Sequence, residues 1–253
     1  MPTENDHLSG QSFLLIASKA AGHSRARLAE MARWLGAQPH PGRPIPKDRI
    51  CLILNADGNR LHVPGQRPLK WHPGTAYLRL RDGDDPLPGV MNLQRGDTVV
   101  DATLGMGHDC LLLAHAGARV SALDICPPLL FFALEGIRRF SPEIARRISV
   151  RCIDHREWLR MAPENSVDHV YLDPMFPTDV GGASHTWSVL RTFALGPRLS
   201  PGTLRDACRV ARRTVVMKLA PHEPPLRVAD LPTPMVKGSN RVHFGVWMCG
   251  GTD

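Results

Sequence analysis

The sequence lacks several patterns that would place it in other protein classes. It has no Cys-x-x-Cys pair, and its six cysteines lie far apart, which is typical of reduced core thiols and not of a disulfide framework. Its twelve histidines show no paired ligand spacing, so no metal site is expected. It has no apolar run of about 18 residues, and the first ten residues lack the basic and apolar regions of a signal peptide. We therefore expect a cytoplasmic protein without a membrane segment.

The length and the charge of the chain narrow the remaining possibilities. Its 253 residues suffice for one α/β domain and an appendage. The net charge of +7 and the isoelectric point near 9.4 favour a polyanionic partner, nucleic acid first among them. A basic surface that only keeps the protein soluble would give the same charge.

The first third of the chain predicts a small α+β cap over residues 11–90, after a disordered lead-in at residues 1–10. The patterns indicate a short strand, a helix, a loop and a hairpin, at residues 13–17, 25–35, 39–47 and 50–63 respectively. Residues 71–81 mix aromatic and basic side chains, which suits either RNA contact or a seam between domains. Residues 82–88 are expected to form a polar turn.

Strands and helices alternate from Asp97 onward, which predicts a parallel sheet in a domain spanning residues 91–253. A helix is expected from Pro201 to Arg212, followed by a strand at residues 214–217 and a terminal antiparallel hairpin. The predicted fold class is therefore α/β and Rossmann-like: a mostly parallel seven-stranded sheet with an antiparallel terminal hairpin, plus the N-terminal α+β cap.

Four predicted strands end at an aspartate: Asp101, Asp124, Asp154 and Asp173. The carboxyl ends of parallel strands meet at one edge of a sheet, where ligands bind, so we expect the four carboxylates in one crevice. Asp124 lies 23 residues after Asp101, near the spacing of an acid that binds ribose hydroxyls. Asp154 could accept a hydrogen bond from an adenine amino group, and His155 could pack beside the ring.

The turn after Asp101 decides between two ligands. Gly105 and Gly107 allow a close approach of the backbone, but a dinucleotide site requires a third glycine, and Cys110 stands there. Asp109 would also repel a pyrophosphate, whereas His108 and Asp109 could meet an amino-acid moiety. S-adenosylmethionine carries no phosphate and is cationic, so it fits an acid-lined crevice better.

The segment Asp173-Pro174-Met175-Phe176 forms a predicted lip at the end of the fourth strand. Asp173 and the Pro174 carbonyl could accept hydrogen bonds from an exocyclic amine, while Phe176 stacks on a flat base. Catalysis of methyl transfer would then consist of positioning and electrostatic stabilisation. Lys218, at the end of the fifth strand, could contact a substrate phosphate or support the lip.

Residues 99–109 together with Val170 to Pro177 resemble the class I methyltransferases of the ribosomal small-subunit RNA guanine-N2 methyltransferase J family. Most related enzymes have proline where Met175 stands. The N-terminal part is more similar to an uncharacterised sister group. The resemblance implies S-adenosylmethionine as methyl donor, ribosomal RNA or the small ribosomal subunit as partner, and guanine N2 of 16S ribosomal RNA as acceptor.

Combining the residues with the resemblance gives one predicted site. The predicted donor-binding residues are Asp101, Thr103, Gly105, Gly107, His108, Asp109, Asp124, Ile125, Asp154, His155 and Asp173. The predicted catalytic residues are Asp173, Pro174, Met175 and Phe176, and the predicted substrate-binding residues are Phe176 and Lys218. Three alternatives stay open: a methyltransferase of another base or a small molecule, an NAD-dependent oxidoreductase, and a non-catalytic RNA-binding module. The oligomeric state is not predicted.

Overall fold

The fold consists of two sheets joined by an apolar seam. The computed structural model describes residues 13–18, 21–42, 44–83, 85–174, 186, 189–190, 193, 199–220, 224–238 and 242–250. Within this part of the chain no helix is both long and apolar enough to cross a membrane. The predicted lip residues Met175 and Phe176 lie outside the described residues.

The N-terminal sheet has five strands in the order β2-β1-β3-β4-β5. Its strands and the helix α1 that follows β1 are β1 (Leu14–Ala17), α1 (Arg25–Leu35), β2 (Gln38–His40), β3 (Cys51–Leu54), β4 (Arg60–His62) and β5 (Leu69–Lys70). Helix α1 begins at the Ser24 cap and ends at Gly36, whose φ of 63° is the left-handed conformation that glycine adopts without strain. Both ends of this helix agree with the prediction.

Strand β2 corrects the prediction that residues 39–47 form only a loop. It pairs in parallel with β1, and Leu15 lies opposite Pro39. Proline cannot donate to a sheet ladder, so it is tolerated in an edge strand such as this one. The proline was therefore compatible with a strand whose formation depends on the neighbouring β1.

Two short helices follow the first sheet, and the second corrects the prediction of a polar turn at residues 82–88. They are α2 (Thr75–Asp82) and α3 (Pro86–Met91). Asp85 caps α3 by accepting a hydrogen bond from the Leu87 N–H, and Pro86 occupies the first turn, where proline costs nothing. The polar pattern was thus a helix start and not a simple turn.

The C-terminal sheet has seven strands in the order β11-β12-β10-β9-β6-β7-β8. Its elements are β6 (Thr98–Asp101), α4 (His108–His115), β7 (Arg119–Asp124), α5 (Pro127–Phe140), α6 (Pro142–Ala145), β8 (Ile148–Cys152), α7 (His155–Met161), β9 (Val167–Leu172), α8 (Pro201–Val210), β10 (Ala211–Leu219), β11 (Met235–Gly238) and β12 (His243–Met248). Strands β6 to β10 run parallel and the last two form an antiparallel hairpin, which confirms the predicted Rossmann-like fold.

The boundary between α8 and β10 corrects the predicted helix to Arg212. The helix ends at Val210, and Ala211 already pairs with Val167 of β9. The next two residues, Arg212 and Arg213, reach Asp168 and Asp97 from the strand, at 3.0 and 2.7 Å. These contacts are remote in sequence, so local periodicity could not reveal them.

An apolar cluster joins the two sheets. Leu15, Leu52 and Leu61 of the first sheet share it with Leu129 and Phe132 of α5. Trp71 lies in the same seam: its Nε1 donates to the Met106 carbonyl at 2.9 Å, and its ring lies against Gly136, where a Cβ would come within 2.1 Å of it. The seam role considered for Trp71 is therefore the observed one.

Candidate active site

The strand order of the larger sheet reverses between β6 and β9, and this position is its topological switch point. Strand β6 is followed along the chain by β7 on one side, while β9 pairs on its other side, and ligands of open α/β sheets bind at such a point. Asp101 ends β6 directly opposite Tyr171 of β9. Asp173 follows β9, and Asp124 ends β7. These three predicted strand-end acids therefore lie close to the switch point, while Asp154 follows β8 further along the same edge.

The turn after β6 is held by its glycines. Gly105 and Gly107 have φ values of 52° and 73°, which side chains rarely adopt. A Cβ on Gly107 would lie 2.8 Å from Ile137 of α5, whereas a Cβ on Gly105 would meet nothing closer than 3.9 Å. Gly107 thus serves packing, and Gly105 leaves open space beside the edge.

Asp124 is fixed by the backbone and keeps acceptor capacity. Its Oδ2 accepts a hydrogen bond from the Gly105 N–H at 3.3 Å, and its Oδ1 accepts from the Cys126 N–H at 2.8 Å. Burial raises its pKa to about 6 despite these bonds. A carboxylate oxygen has two acceptor sites, so each oxygen can take a further donor. Ile125 beside it is 39% exposed and offers an apolar surface for a flat ring.

Asp101 is the most deeply buried acid of the edge. It is 1% exposed, and its Oδ1 accepts one hydrogen bond, from the Thr103 N–H at 3.1 Å. Burial raises its pKa to about 8, and the carboxylates of Asp109, Asp173 and Asp124 add to that rise. Among the described residues, no ion pair within 4 Å reaches Asp101 or Asp124. These two carboxyl groups therefore have no protein cation beside them, and a bound cationic ligand would favour their ionised forms.

Asp109 is engaged by three protein groups. Its Oδ1 accepts from the Arg79 guanidinium at 2.7 Å, and its Oδ2 accepts from the Tyr171 hydroxyl at 2.7 Å and from Lys218 Nζ at 2.9 Å. Burial opposes its ionisation, but Lys218 and Arg79 hold its pKa well below the usual range. These three protein groups therefore occupy the Asp109 carboxylate, which was predicted to meet the amino-acid moiety of S-adenosylmethionine.

Asp173 is held from two sides. Its backbone N–H donates to Thr103 Oγ1 at 2.6 Å, and its Oδ2 accepts from Lys218 Nζ at 2.8 Å. Its side chain is 30% exposed, so part of the carboxylate faces the crevice. This geometry favours the second role predicted for Lys218, support of the lip, over contact with a substrate phosphate.

Asp154 differs from the other strand-end acids because it is already paired. It caps α7 by accepting from the Arg156 N–H at 2.8 Å, and the Arg156 guanidinium lies 2.6 Å from its Oδ2. Burial opposes ionisation, yet these bonds lower its pKa. His155, the first residue of α7, is partly buried, and burial lowers its pKa.

His108 connects the donor turn to the cap. Its Nε2 donates to the His72 carbonyl at 2.8 Å, and its ring lies edge-on to Trp71 with centroids 6.0 Å apart. Burial lowers the pKa of His108. One ring nitrogen is therefore used within the protein and not for a ligand.

Sequence reasoning did not identify Arg79 and Tyr171 as site residues. Tyr171 lies in a strand-like apolar run, which predicts a core residue, and its hydroxyl becomes meaningful only beside Asp109. Arg79 was part of the basic and aromatic stretch at residues 71–81, but its partner Asp109 lies 30 residues further along the chain. Among the described residues, no group of three or more histidine, cysteine, aspartate or glutamate side chains could hold a metal.

The edge suits a cationic, hydroxyl-bearing ligand. Asp124 offers free acceptor sites, and Ile125 offers an apolar surface. Asp101 contributes a buried carboxyl group whose ionised form a cationic ligand would favour. S-adenosylmethionine combines a positive charge, ribose hydroxyls and an adenine ring, so these residues fit it.

Comparison with known proteins gives a consistent result. Residues 86–248 match the protein family described as "Putative SAM-dependent methyltransferase". The chain is 33% identical to the uncharacterized protein YpiP of Bacillus subtilis over 68% of this chain and 71% of that protein. It is 32% identical to ribosomal RNA small subunit methyltransferase J of Halorhodospira halophila over 92% of this chain and 93% of that protein.

A solved structure agrees on the fold. A SAM-dependent methyltransferase from Neisseria gonorrhoeae superimposes with a TM-score of 0.67 at 22% identity, covering 95% of this chain and 97% of the other. The family match decides against the dinucleotide alternative. The chain belongs to the family of S-adenosylmethionine-dependent methyltransferases.

Proposed function

We propose that this methyltransferase modifies an exocyclic amine of an RNA base, and that its acceptor is guanine N2 in 16S ribosomal RNA. The observation that carries the proposal is the placement of Asp173. This carboxylate is partly exposed at the switch point, next to the donor turn, and is fixed by Thr103 and Lys218. The names of the relatives support the RNA, because several of them, including the Halorhodospira halophila protein, are called ribosomal RNA small subunit methyltransferase J.

In this proposal the chain's own residues bind the methyl donor, orient the acceptor base and polarise its amine. S-adenosylmethionine, when bound, supplies an electrophilic methyl group. Asp124 would accept hydrogen bonds from the ribose hydroxyls, while Ile125 and His155 would flank the adenine. Asp173 Oδ1 and the Pro174 carbonyl would accept the two N–H groups of the acceptor amine, so that its nitrogen lone pair faces the donor. Such positioning replaces acid–base chemistry at the attacking atom, because the product amine loses its extra proton easily.

An exposed face of the cap supports RNA as the polymer. Helix α1 carries three arginines and one glutamate, and Arg27 and Arg33 are exposed. Trp34 beside them is 61% exposed, which is unusual for a tryptophan. Arginines bind phosphates and a tryptophan stacks on unpaired bases. This face would hold RNA whose target base enters the crevice, and such an enzyme would work in the cytoplasm with the ribosomes.

The proposal is tested by methylation of defined substrates. The purified enzyme is incubated with labelled S-adenosylmethionine and either naked 16S ribosomal RNA or small subunits, both from cells that lack this protein. Nucleoside mass spectrometry is expected to find N2-methylguanosine at one position. Asp173→Ala should abolish the product, while Asp57→Ala, at an exposed ion pair of the cap, should leave it unchanged. A methyl group on another base, or on no RNA, would refute guanine N2.

The RNA-binding face has its own test. Replacing Arg33 and Trp34 together by alanine should weaken RNA binding in a mobility assay by about tenfold, since one stacked base contributes about 1–3 kcal/mol. Arg205→Ala, on α8 and paired with Asp230, is the matched control. Equal loss of RNA affinity in both variants would show that RNA binds through the general positive charge of the surface and not through this face of α1.

A further inference from the structure

We infer that Lys218 is a positioning residue that keeps the Asp173 carboxylate ionised and aimed at the acceptor amine, and that Asp109 and Arg79 hold the lysine in place. The inference rests on the role proposed for Asp173. Its geometric basis is that Lys218 Nζ lies between two carboxylates, 2.8 Å from Asp173 Oδ2 and 2.9 Å from Asp109 Oδ2. The lysine thus occupies one oxygen of Asp173 and leaves the other for a ligand.

The lysine is fixed because its second partner is fixed. Asp109 accepts from the Tyr171 hydroxyl and from the Arg79 guanidinium, each at 2.7 Å. Arg79 is in turn paired with Asp85, the cap of α3. Asp109 is therefore held by α2, β9 and β10 at once. Because two cations and a hydroxyl of the protein already bind its carboxylate, we assign Asp109 to this network and not to the methyl donor.

The charges around Asp173 show why the lysine is needed. Asp173 faces Lys218 from β10, Asp109 from α4, Asp101 from β6 and Tyr171 from its own strand. Burial raises the pKa of Asp173, Lys218 lowers it, and Asp109 raises it again; the pKa stays above its ordinary value. Within the part of the chain that the structure describes, Lys218 is the cation in contact with this carboxylate. Without it, burial and the neighbouring acids would favour the protonated acid, which is a weaker acceptor for an amine.

The direction of the expected pH effect follows from these signs. Activity that needs the Asp173 carboxylate falls as the pH drops through the pKa of this group. Removing Lys218 takes away a charge that lowers this pKa, so the pKa rises and activity is lost at a higher pH. An adjacent opposite charge shifts a carboxyl pKa by about 1–3 pH units, so a rise of at least about one pH unit is expected.

The experiment compares four variants of the full chain. Lys218→Met removes the charge, Lys218→Arg retains it, Arg79→Met removes the outer cation, and Lys237→Met, on the exposed edge strand β11, is the control. Calorimetry gives the affinity for S-adenosylmethionine, methyl transfer gives kcat against pH, and carbon-13 NMR follows the titration of the Asp173 carboxyl. Thermal melts identify any variant that does not fold.

Lys218→Met is expected to lower kcat at pH 7 by about 10²-fold, as misplacement of a reacting group does, and to move the acidic limb of the profile to higher pH. Its donor affinity should stay within about threefold of the wild type. Lys218→Arg should restore the wild-type limb, Arg79→Met should move it less than Lys218→Met, and Lys237→Met should not move it.

Two results would overturn the inference. One is an Asp173 titration in Lys218→Met that matches the wild type; the other is a kcat loss in Lys218→Met and Lys218→Arg alike with no movement of the limb. The NMR titration needs no acceptor. If the wild-type enzyme fails to methylate ribosomal RNA, the proposed substrate is wrong, while the titration still decides the role of Lys218.

Discussion

Acidic side chains lie at both ends of the larger sheet, but the acids at the two ends differ in their basic partners. At the amino ends of the strands, Asp97 and Asp168 each have a basic partner, Arg213 at 2.7 Å and Arg212 at 3.0 Å. At the carboxyl ends, Asp101 and Asp124 have no such partner among the described residues, and their pKa values are raised by burial to about 8 and 6.

The acids at the amino ends of the strands are bound by neighbouring polar side chains. His169 is fully buried, and its nitrogens lie 2.7 Å from Thr214 Oγ1 and 3.0 Å from Asp97 Oδ2. Asp168 Oδ2 accepts from the Thr98 N–H and hydroxyl, at 2.8 and 2.7 Å. Burial opposes ionisation of Asp168, but these bonds and Arg212 lower its pKa to about 2.

The contrast separates structural from functional acids. A buried carboxylate with a full set of donors stabilises the fold, whereas one without a counterion costs free energy until a ligand supplies the charge. Acid content alone would not distinguish the two ends. The partners and the exposure of each carboxylate do. Asp154, paired with Arg156 at 2.6 Å, belongs with the structural acids although it lies at the functional end, whereas Asp173 has a cation on one oxygen only and a side chain that is 30% exposed.

The largest expected effect is on turnover. Asp173→Asn should lower kcat by about 10²–10³-fold, because one electrostatic contact to the reacting group is lost, while donor affinity stays near that of the wild type. Single-turnover methylation measures the first quantity and calorimetry the second. If Asp173→Asn keeps the turnover of the wild type, Asp173 is a structural acid, and the distinction between the two ends of the sheet does not hold for it.

A smaller effect is expected on donor binding. Asp124→Asn should weaken S-adenosylmethionine affinity by about 10–100-fold, since hydrogen bonds to a charged group contribute about 1.5–3 kcal/mol. Calorimetry on Asp168→Asn supplies the control, with affinity unchanged. Equal affinities in the two variants would remove Asp124 from the donor site.

A substitution at the amino ends of the strands should change the stability of the fold and not the affinity for the methyl donor. Asp168→Asn is expected to lower the free energy of unfolding by about 1.5–3 kcal/mol, because it loses charge-assisted bonds. The folded-state pKa lies below the unfolded one, so this contribution is present above about pH 4 and disappears as the pH falls toward 2. Urea denaturation at pH 7 and near pH 2 measures it. Stability that does not depend on this residue would show that the network is redundant.

The smallest effect has the opposite pH dependence. The folded-state pKa of Asp101 is raised, so the wild type loses stability from this group as the pH rises from about 4 to 8. Asp101→Asn resembles the protonated form and should therefore gain in Tm relative to the wild type over this range. A gain of about 2–4 °C at pH 9 corresponds to about 1 kcal/mol for a chain of this size, with less at pH 5. A pH-independent difference in Tm would mean that Asp101 is not a cost to the apo fold.

Local signals predicted the regular elements well. The bounds of α1 and β9 agree with the prediction, because apolar periodicity and caps lie within each segment. The mostly parallel sheet, predicted from the alternation of strands and helices, and the terminal antiparallel hairpin are also observed. The failures, β2, the pair α2 and α3, and the start of β10, depend on partners elsewhere in the chain or on a capping signal that was not recognised.

The candidate site divides in the same way. The sequence identified the acids, the glycine turn and Lys218 as candidates, because strand-end position is a local property. It could not assign their partners: Arg79 reaches Asp109 across 30 residues, and Lys218 reaches it across 109. Consequently the sequence assigned Asp101, Asp109, Asp124 and Asp154 all to donor binding, whereas their neighbours give them different pKa values.

The seam at Trp71 bears on how such enzymes can be recombined. Its ring occupies the space that a side chain at position 136 would need, and its Nε1 is tied to Met106 between the two turn glycines. The N-terminal sheet is therefore not an interchangeable module. A chimaera that takes this cap onto another catalytic sheet must also bring a glycine at the position of Gly136, or the seam will not close.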